Sequence, residues 1–167
     1  QVLMNIYLIG MMGSGKSTLG KSLSEKIQKP FIDLDSEIEK VAGKSISEIF
    51  NIDGEEQFRK METKQLQQYS KSIVACGGGI VLNNANRKFI NENGIAILLL
   101  ATMGELTQRL SASNNRPLLA DDNMEEALTK LWMERLIDYL DTADFSIETN
   151  GKNPEQLTDE ILIQINS

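Results

Sequence analysis

A polypeptide of 167 residues is long enough for one domain and too short for two with substantial cores. Its 41% hydrophobic and 25% charged residues exclude a disordered or fibrous protein, and a net charge of -7 excludes the broad basic surface that nucleic-acid binding rests on. The longest apolar run, residues 95–101, is far shorter than the roughly 20 residues of a membrane-crossing helix.

The single cysteine, Cys76, admits no internal disulfide and suits a reducing compartment, and residues 1–10 lack the basic flank of a secretory signal. A soluble, cytoplasmic protein is expected. There is no histidine, so any general base must be a carboxylate, lysine, tyrosine or thiol.

In chain order, residues 7–9 close a short apolar strand and a glycine-rich turn follows. Leu19, Leu23 and Ile27 then recur at a spacing of four, which predicts an amphipathic helix over 18–27. Pro30 ends that helix, and residues 31–35 read as a second strand. Two capping boxes come next, Ser36 with Glu39 and Ser45 with Glu48, each expected to open a short helix. Gly54 precedes a longer helix over 55–70, whose first turn carries Glu55 and Glu56 where the helix dipole favours negative charge. Residues 73–76 form a compact strand that stops at Gly77, Gly78 and Gly79. A helix over 85–91 leads into the strand 95–100, apolar on both faces.

Continuous apolar strands separated by helices predict a parallel sheet covered on two sides. A helix over 104–110 is followed by mostly polar residues over 111–123, a loop length uncommon unless functional or disordered, which is expected to act as a lid. A helix over 124–140, a strand over 145–148 and a last helix capped by Asn153, with Pro154 at its first position and Gln156 behind it, complete the chain. No repeat or linker divides it, so residues 1–167 are expected to form one domain.

The segment Gly10-Met11-Met12-Gly13-Ser14-Gly15-Lys16-Ser17 fits G-x-x-x-x-G-K-[ST] between a strand and a helix, the context this phosphate-binding pattern requires. Glycines let backbone N–H groups turn toward phosphate oxygens, and the helix N-terminus adds partial positive charge. Lys16 would reach the outer phosphates and Ser17 would hold magnesium. The alternative, a glycine turn with a solvated lysine, leaves the whole pattern unexplained. Without an N-K-x-D guanine-reading pattern or room for motor elements, the class expected is a small-molecule kinase.

Asp33 and Asp35 lie two apart at the C-terminal end of the second strand, where open parallel sheets bind ligands. One carboxylate can orient magnesium through water and the other can accept a hydroxyl proton; Asp35 can equally cap the next helix, although Ser36 offers itself for that. Five arginines stand at 59, 87, 109, 116 and 135. On spacing alone, Arg59 pairs with Glu55 and Glu62 along a helix surface. Arg116 sits in the expected lid, either solvated or swung onto a transferring phosphate. Arg135 shares a helix with Trp132, Leu136 and Tyr139. Gly77, Gly78 and Gly79 allow close approach of a ligand or simply turn the chain.

The ordered set of the phosphate loop through Thr18, Asp33-Leu34-Asp35, Gly54-Glu55-Glu56-Gln57-Phe58-Arg59-Lys60-Met61-Glu62, the triple glycine, Arg116-Pro117-Leu118-Leu119, and Arg135 with Tyr139 resembles the shikimate kinase family over nearly the whole chain. The resemblance implies an α/β, three-layer P-loop kinase fold, adenylate-kinase-like, with a five-stranded parallel sheet flanked by helices, a lid at about 111–123 and a substrate-binding region at about 33–62.

It further implies ATP-dependent phosphorylation of the 3-hydroxyl of shikimate, with Mg2+ as cofactor and a monomeric enzyme. Gly13, Ser14, Gly15, Lys16, Ser17 and Thr18 would bind ATP, together with Arg109 flanking adenine, Arg116 and Lys152. Ser17 and Asp33 would hold the metal. Lys16, Asp35 and Arg116 would be catalytic. Asp35, Arg59, Gly77, Gly78, Gly79 and Arg135 would bind shikimate, the two arginines clamping its carboxylate and Glu62 orienting Arg59. At 152 the family's arginine is replaced by lysine, which cannot stack as a guanidinium does.

Overall fold

The computed structural model describes residues 4–112 and 121–167. Strand β1 (Asn5–Ile9) is buried along its full length, and its side chains divide by the two-residue period of a strand. Tyr7 and Ile9 enter one core, Ile6 and Leu8 the other. The same split recurs on β4 (Gly94–Leu100), with Ala96 and Leu98 on one face and Ile97 and Leu99 on the opposite face. That is why neither strand shows polar alternation in the sequence.

Around them, β2 (Phe31–Asp33), β3 (Ile73–Ala75) and β5 (Phe145–Glu148) complete a five-stranded parallel sheet in the order β2-β3-β1-β4-β5. The helices between them are α1 (Lys16–Ile27), α2 (Leu34–Ala42), α3 (Ile46–Ile52), α4 (Glu55–Leu66), α5 (Asn84–Asn93), α6 (Met103–Ala112), α7 (Asp121–Thr142) and α8 (Pro154–Asn166). Leu19 and Leu23 of α1 and Leu157 and Ile161 of α8 cover one face; α2, α3, α4, α5, α6 and α7 contribute to the core on the other. The expected three-layer architecture is the observed one. Because the chain leaves β1 toward β2 and later returns past β1 to β4, the order reverses beside β1, and a crevice opens at the C-terminal strand ends there.

Several boundaries differ from the sequence expectation. The second strand ends at Asp33, not 35, because the Asp33 carboxylate accepts from the Ser36 backbone N–H at 3.2 Å and starts α2 at Leu34. Asp33 is therefore the cap, a role the sequence had offered to Ser36 or Asp35. At Ser45 the capping box with Glu48 forms as expected, and so does the Asn153 and Gln156 box on α8. The fourth helix stops at Leu66, its last buried residue, and the polar stretch behind it turns through Lys71 at φ 54.

A short 3₁₀ turn, Ile80–Leu82, follows the glycines and had no sequence signal. Of the segment 111–123 expected as a lid, both ends are helical, since α6 runs through Ala112 and α7 begins at Asp121; residues 113–120, Arg116 among them, lie outside the described residues. No helix among the described residues is long and apolar enough to cross a membrane.

Candidate active site

The loop between β1 and α1 turns through Gly13 at φ 81 and Gly15 at φ 95, left-handed backbone that a β-carbon disfavours. Lys16 opens α1 and folds back over the loop, its Nζ donating to the Gly10 carbonyl at 2.5 Å and the Met11 carbonyl at 3.0 Å. Burial of this ammonium lowers its pKa to about 8, against the pull of the nearby Asp35 and Asp33 charges. Ser14 is buried beneath the loop, whereas Thr18 faces outward from the first turn of α1.

Ser17 Oγ donates to Asp33 Oδ2 at 2.7 Å, while Asp33 Oδ1 caps α2. One carboxylate thus links the phosphate loop to the end of β2. Among the described residues no group of three or more His, Cys, Asp or Glu side chains could hold a metal by itself. A magnesium ion bound with nucleotide needs only one or two protein oxygens, the rest coming from phosphates and water. The Ser17 and Asp33 oxygens fit that demand.

Arg109 reaches the loop from α6: its Nη1 donates to the Gly13 carbonyl at 3.2 Å and lies 3.4 Å from Thr149 Oγ1, and its Nε pairs with Glu105 at 3.0 Å. Lys152, just past β5, places its ammonium 2.7 Å from Glu160 of α8.

Beside the loop lies a cavity of about 530 Å³, lined by Asp35, Arg59, Glu62, Gly77, Gly78, Gly79 and Arg135, with Phe50, Phe58 and Leu131 among its apolar walls. Four helices and one turn meet here, α3 supplying Phe50 and the other three the charged groups. Asp35 comes from the first turn of α2, Arg59 and Glu62 from α4, and Arg135 from α7.

The three glycines make that convergence possible. A β-carbon on Gly77 would stand 2.9 Å from Asp35 Oδ1, one on Gly78 3.0 Å from Arg135 Nη1, and one on Gly79 2.6 Å from both Arg59 Nη atoms. Each glycine leaves room for one charged side chain.

Arg59 donates to Glu62 at 3.0 Å and more loosely to Glu55 at 3.4 Å, so the helical pairing read from spacing does form. It is more than a surface pair, because Glu62 is 1% exposed. Its guanidinium lies 5.2 Å from the centre of the Phe58 ring, within cation–π range. Burial raises the Glu62 pKa, opposed by Arg59. Burial also raises that of Asp35, assisted by the Asp33 charge and opposed by Lys16.

Asp35 Oδ1, Glu62 Oε2 and Arg135 Nη1 are buried without a hydrogen-bond partner. Such atoms cost free energy, and a set of them around one cavity points to a polar ligand. Cys76 is buried behind the turn with its thiol pKa pushed up by burial, which leaves it no nucleophilic role.

The sequence reading missed the aromatic wall. Phe50 and Phe58 pack at 4.8 Å between centroids with their planes tilted by 33° and give the cavity an apolar side; Phe58 stands within the quoted pattern, but nothing around Phe50 distinguished it from core.

A phosphate-binding loop at the crossover of a parallel sheet, sharing Lys16 and Asp35 electrostatics with a small arginine-bearing cavity, is the layout of a P-loop kinase that phosphorylates a small anionic molecule. Comparison with known proteins narrows that class. The family model described as shikimate kinase matches residues 12–166. The shikimate kinase of Thermodesulfovibrio yellowstonii is 38% identical over 95% of this chain and 92% of its own length; that of Persephonella marina is 40% identical over 96% and 98%. The solved Acinetobacter baumannii shikimate kinase, in complex with shikimate, superposes with a TM-score of 0.91 at 38% identity, covering 98% of this chain and 93% of that one. The chain belongs to the shikimate kinase family.

Proposed function

We propose that this chain transfers the terminal phosphoryl group of ATP to the 3-hydroxyl of shikimate, giving ADP and shikimate 3-phosphate, with the residue roles below. Family membership supports the reaction, and one observation of the site carries the roles: unpartnered atoms of Asp35, Glu62 and Arg135 stand buried around a cavity that adjoins the Lys16 loop. Arg59 and Arg135 would grip the acceptor carboxylate, the planar guanidinium being suited to two parallel bonds. Phe50, Phe58 and the glycine turn would flank the ring. Asp35, its pKa raised by burial, would take the hydroxyl proton or orient it.

At the nucleotide end, Gly13, Ser14, Gly15 and Thr18 would surround the phosphates with Lys16, which would leave the Gly10 and Met11 carbonyls to meet them. Ser17 and Asp33 would hold Mg2+, which when bound screens phosphate charge. Arg109 would flank the adenine. Lys152 would approach it only by leaving Glu160. Arg116 would neutralise charge on the transferring group. Residues 1–167 would act as one kinase domain, with lid and acceptor regions at about 111–123 and 33–62. Since one copy supplies every role we expect a monomer, and the single cysteine, which forms no internal disulfide, suits a cytoplasmic setting.

The test is ADP release in a coupled assay with ATP, magnesium and shikimate. Turnover with gluconate or a nucleoside monophosphate but not shikimate would overturn the acceptor. Binding of both ligands without ADP release would reduce the chain to a non-catalytic binding module.

A further inference from the structure

Arg59 and Arg135 come from different helices and both line the acceptor cavity against the glycine turn, Gly79 lying against the first and Gly78 against the second. A two-sided grip on one small carboxylate works only if the spacing across the turn is fixed, because misplacement of about 1 Å weakens such contacts severely. Arg59 has its own brace in Glu62. Arg135 Nη1 has no such partner; the guanidinium interacts instead with the Tyr139 hydroxyl of its own helix, so its position depends on how α7 sits on the turn.

Two polar links, among the described residues, seat α7 there. Tyr139 lies one helical turn from Arg135 and on the same face; it is fully buried, and its hydroxyl donates to the Gly78 carbonyl at 2.5 Å. Its ring stacks on Trp132, 5.7 Å between centroids, which holds the phenol in place from the other side of the Arg135 turn. Burial raises the phenol's pKa, so it remains a donor.

The second link uses Arg87, which the reading by spacing and resemblance left without a role. Its Nη1 donates to the Val81 carbonyl at 2.6 Å and stands 3.4 Å from Asp138 Oδ1, next to Tyr139. A largely buried guanidinium thus ties α7 to the 3₁₀ turn that continues from the glycines. Met133, Ile137 and Leu140 on the outer side of α7 are exposed, so these inward links bear on how the helix is seated.

We propose that Tyr139 and Arg87 are positioning residues for acceptor binding: they clasp α7 to the glycine turn and thereby set the spacing of Arg135 from Arg59. The inference rests on the assignment of both arginines to the acceptor carboxylate. Neither Tyr139 nor Arg87 need touch the substrate; the Tyr139 hydroxyl also lies 3.9 Å from Met11 Sδ of the nucleotide loop, a thioether contact far weaker than its bond to the Gly78 carbonyl.

The experiment is steady-state kinetics on Tyr139→Phe, Arg87→Met and Arg135→Lys, each with a thermal midpoint. Tyr139→Phe keeps the ring and the Trp132 stack while leaving the Gly78 carbonyl without its donor. The shikimate KM should rise roughly fivefold to tenfold, as expected for one lost hydrogen bond, with kcat and the ATP KM within about twofold. Arg87→Met should shift the same constant by a smaller factor. Combining Tyr139→Phe with Arg135→Lys should cost less than the product of the single effects, because both act on one contact.

An unchanged shikimate KM in both folded clasp variants would overturn the proposal. So would equal rises in both KM values that follow a fall in thermal midpoint, since that is the signature of a merely structural role. If Arg135→Lys also leaves the shikimate KM unchanged, the acceptor assignment itself falls and the clasp with it.

Discussion

The two ends of the crevice are built in opposite ways. The nucleotide end is built around one contiguous loop whose charged group is paired at rest: Lys16 rests on loop carbonyls and Ser17 on Asp33, and the buried loop side chain left without a partner is the neutral Ser14 hydroxyl. The acceptor end is gathered from α2, α4, the glycine turn and α7, and it holds buried polar atoms without partners. Backbone geometry defines the phosphate loop, a pattern that reads phosphate and carries no information about the acceptor. Side-chain charge defines the second, and specificity for the acceptor resides where that charge is left unpaired.

The sharpest way to break this contrast is Asp35→Asn. If the buried carboxylate handles the hydroxyl proton, kcat should fall about 10²- to 10⁴-fold. The thermal midpoint at neutral pH should rise at the same time. The folded-state pKa is raised by burial, so ionised Asp35 opposes folding above that value, and the cost fades as pH falls from it to the ordinary aspartate value of the unfolded chain. The neutral amide removes that cost. For the same reason the acid limb of wild-type kcat/KM should lie above the ordinary value of an aspartate. A variant that loses activity and stability together would show that Asp35 supports the fold rather than the chemistry.

A smaller effect is expected from Arg59→Lys, which retains charge but loses the two-pronged geometry and the cation–π contact with Phe58. The shikimate KM should increase roughly 10- to 100-fold, the range for a charged hydrogen bond, while ATP affinity changes little. Equal loss for both ligands would erase the division between the two ends.

The mildest effect belongs to Lys16. With its pKa lowered to about 8 in the free protein, part of the population is deprotonated at pH 8, and anionic ATP favours the charged form. Binding at pH 8 should take up about half a proton, visible as a buffer-dependent enthalpy in calorimetry. Affinity for ATP should weaken by a few fold as pH rises above 8. A buffer-independent enthalpy would mean that Lys16 is already fully charged before the nucleotide arrives.

Legibility in the sequence follows the same division. The phosphate loop could be read directly, since every residue of it is close in the chain and its glycines are set by backbone demands. Arg59 and Arg135 stand 76 positions apart by number, and spacing alone offered a helical ion pair for the first and only a place on a helix for the second. Only the resemblance of the whole ordered set joined them to an acceptor. The Asp33 cap, the end of α4 at Leu66 and the 3₁₀ turn at Ile80–Leu82 escaped because each depends on a competition between local hydrogen bonds that tertiary contacts decide.

By itself, the sequence determined the parallel sheet, through strands apolar on both faces, and the phosphate loop, through a pattern whose physics is local. What only the tertiary structure decided is the company each charged side chain keeps: Asp33 shared between Ser17 and a helix cap, Glu62 buried against Arg59, and Tyr139 fastened to Gly78. Hydrophobic period and backbone conformation are written in neighbouring residues. Burial and pairing of charge are properties of distant segments brought together, and the acceptor site is made of those.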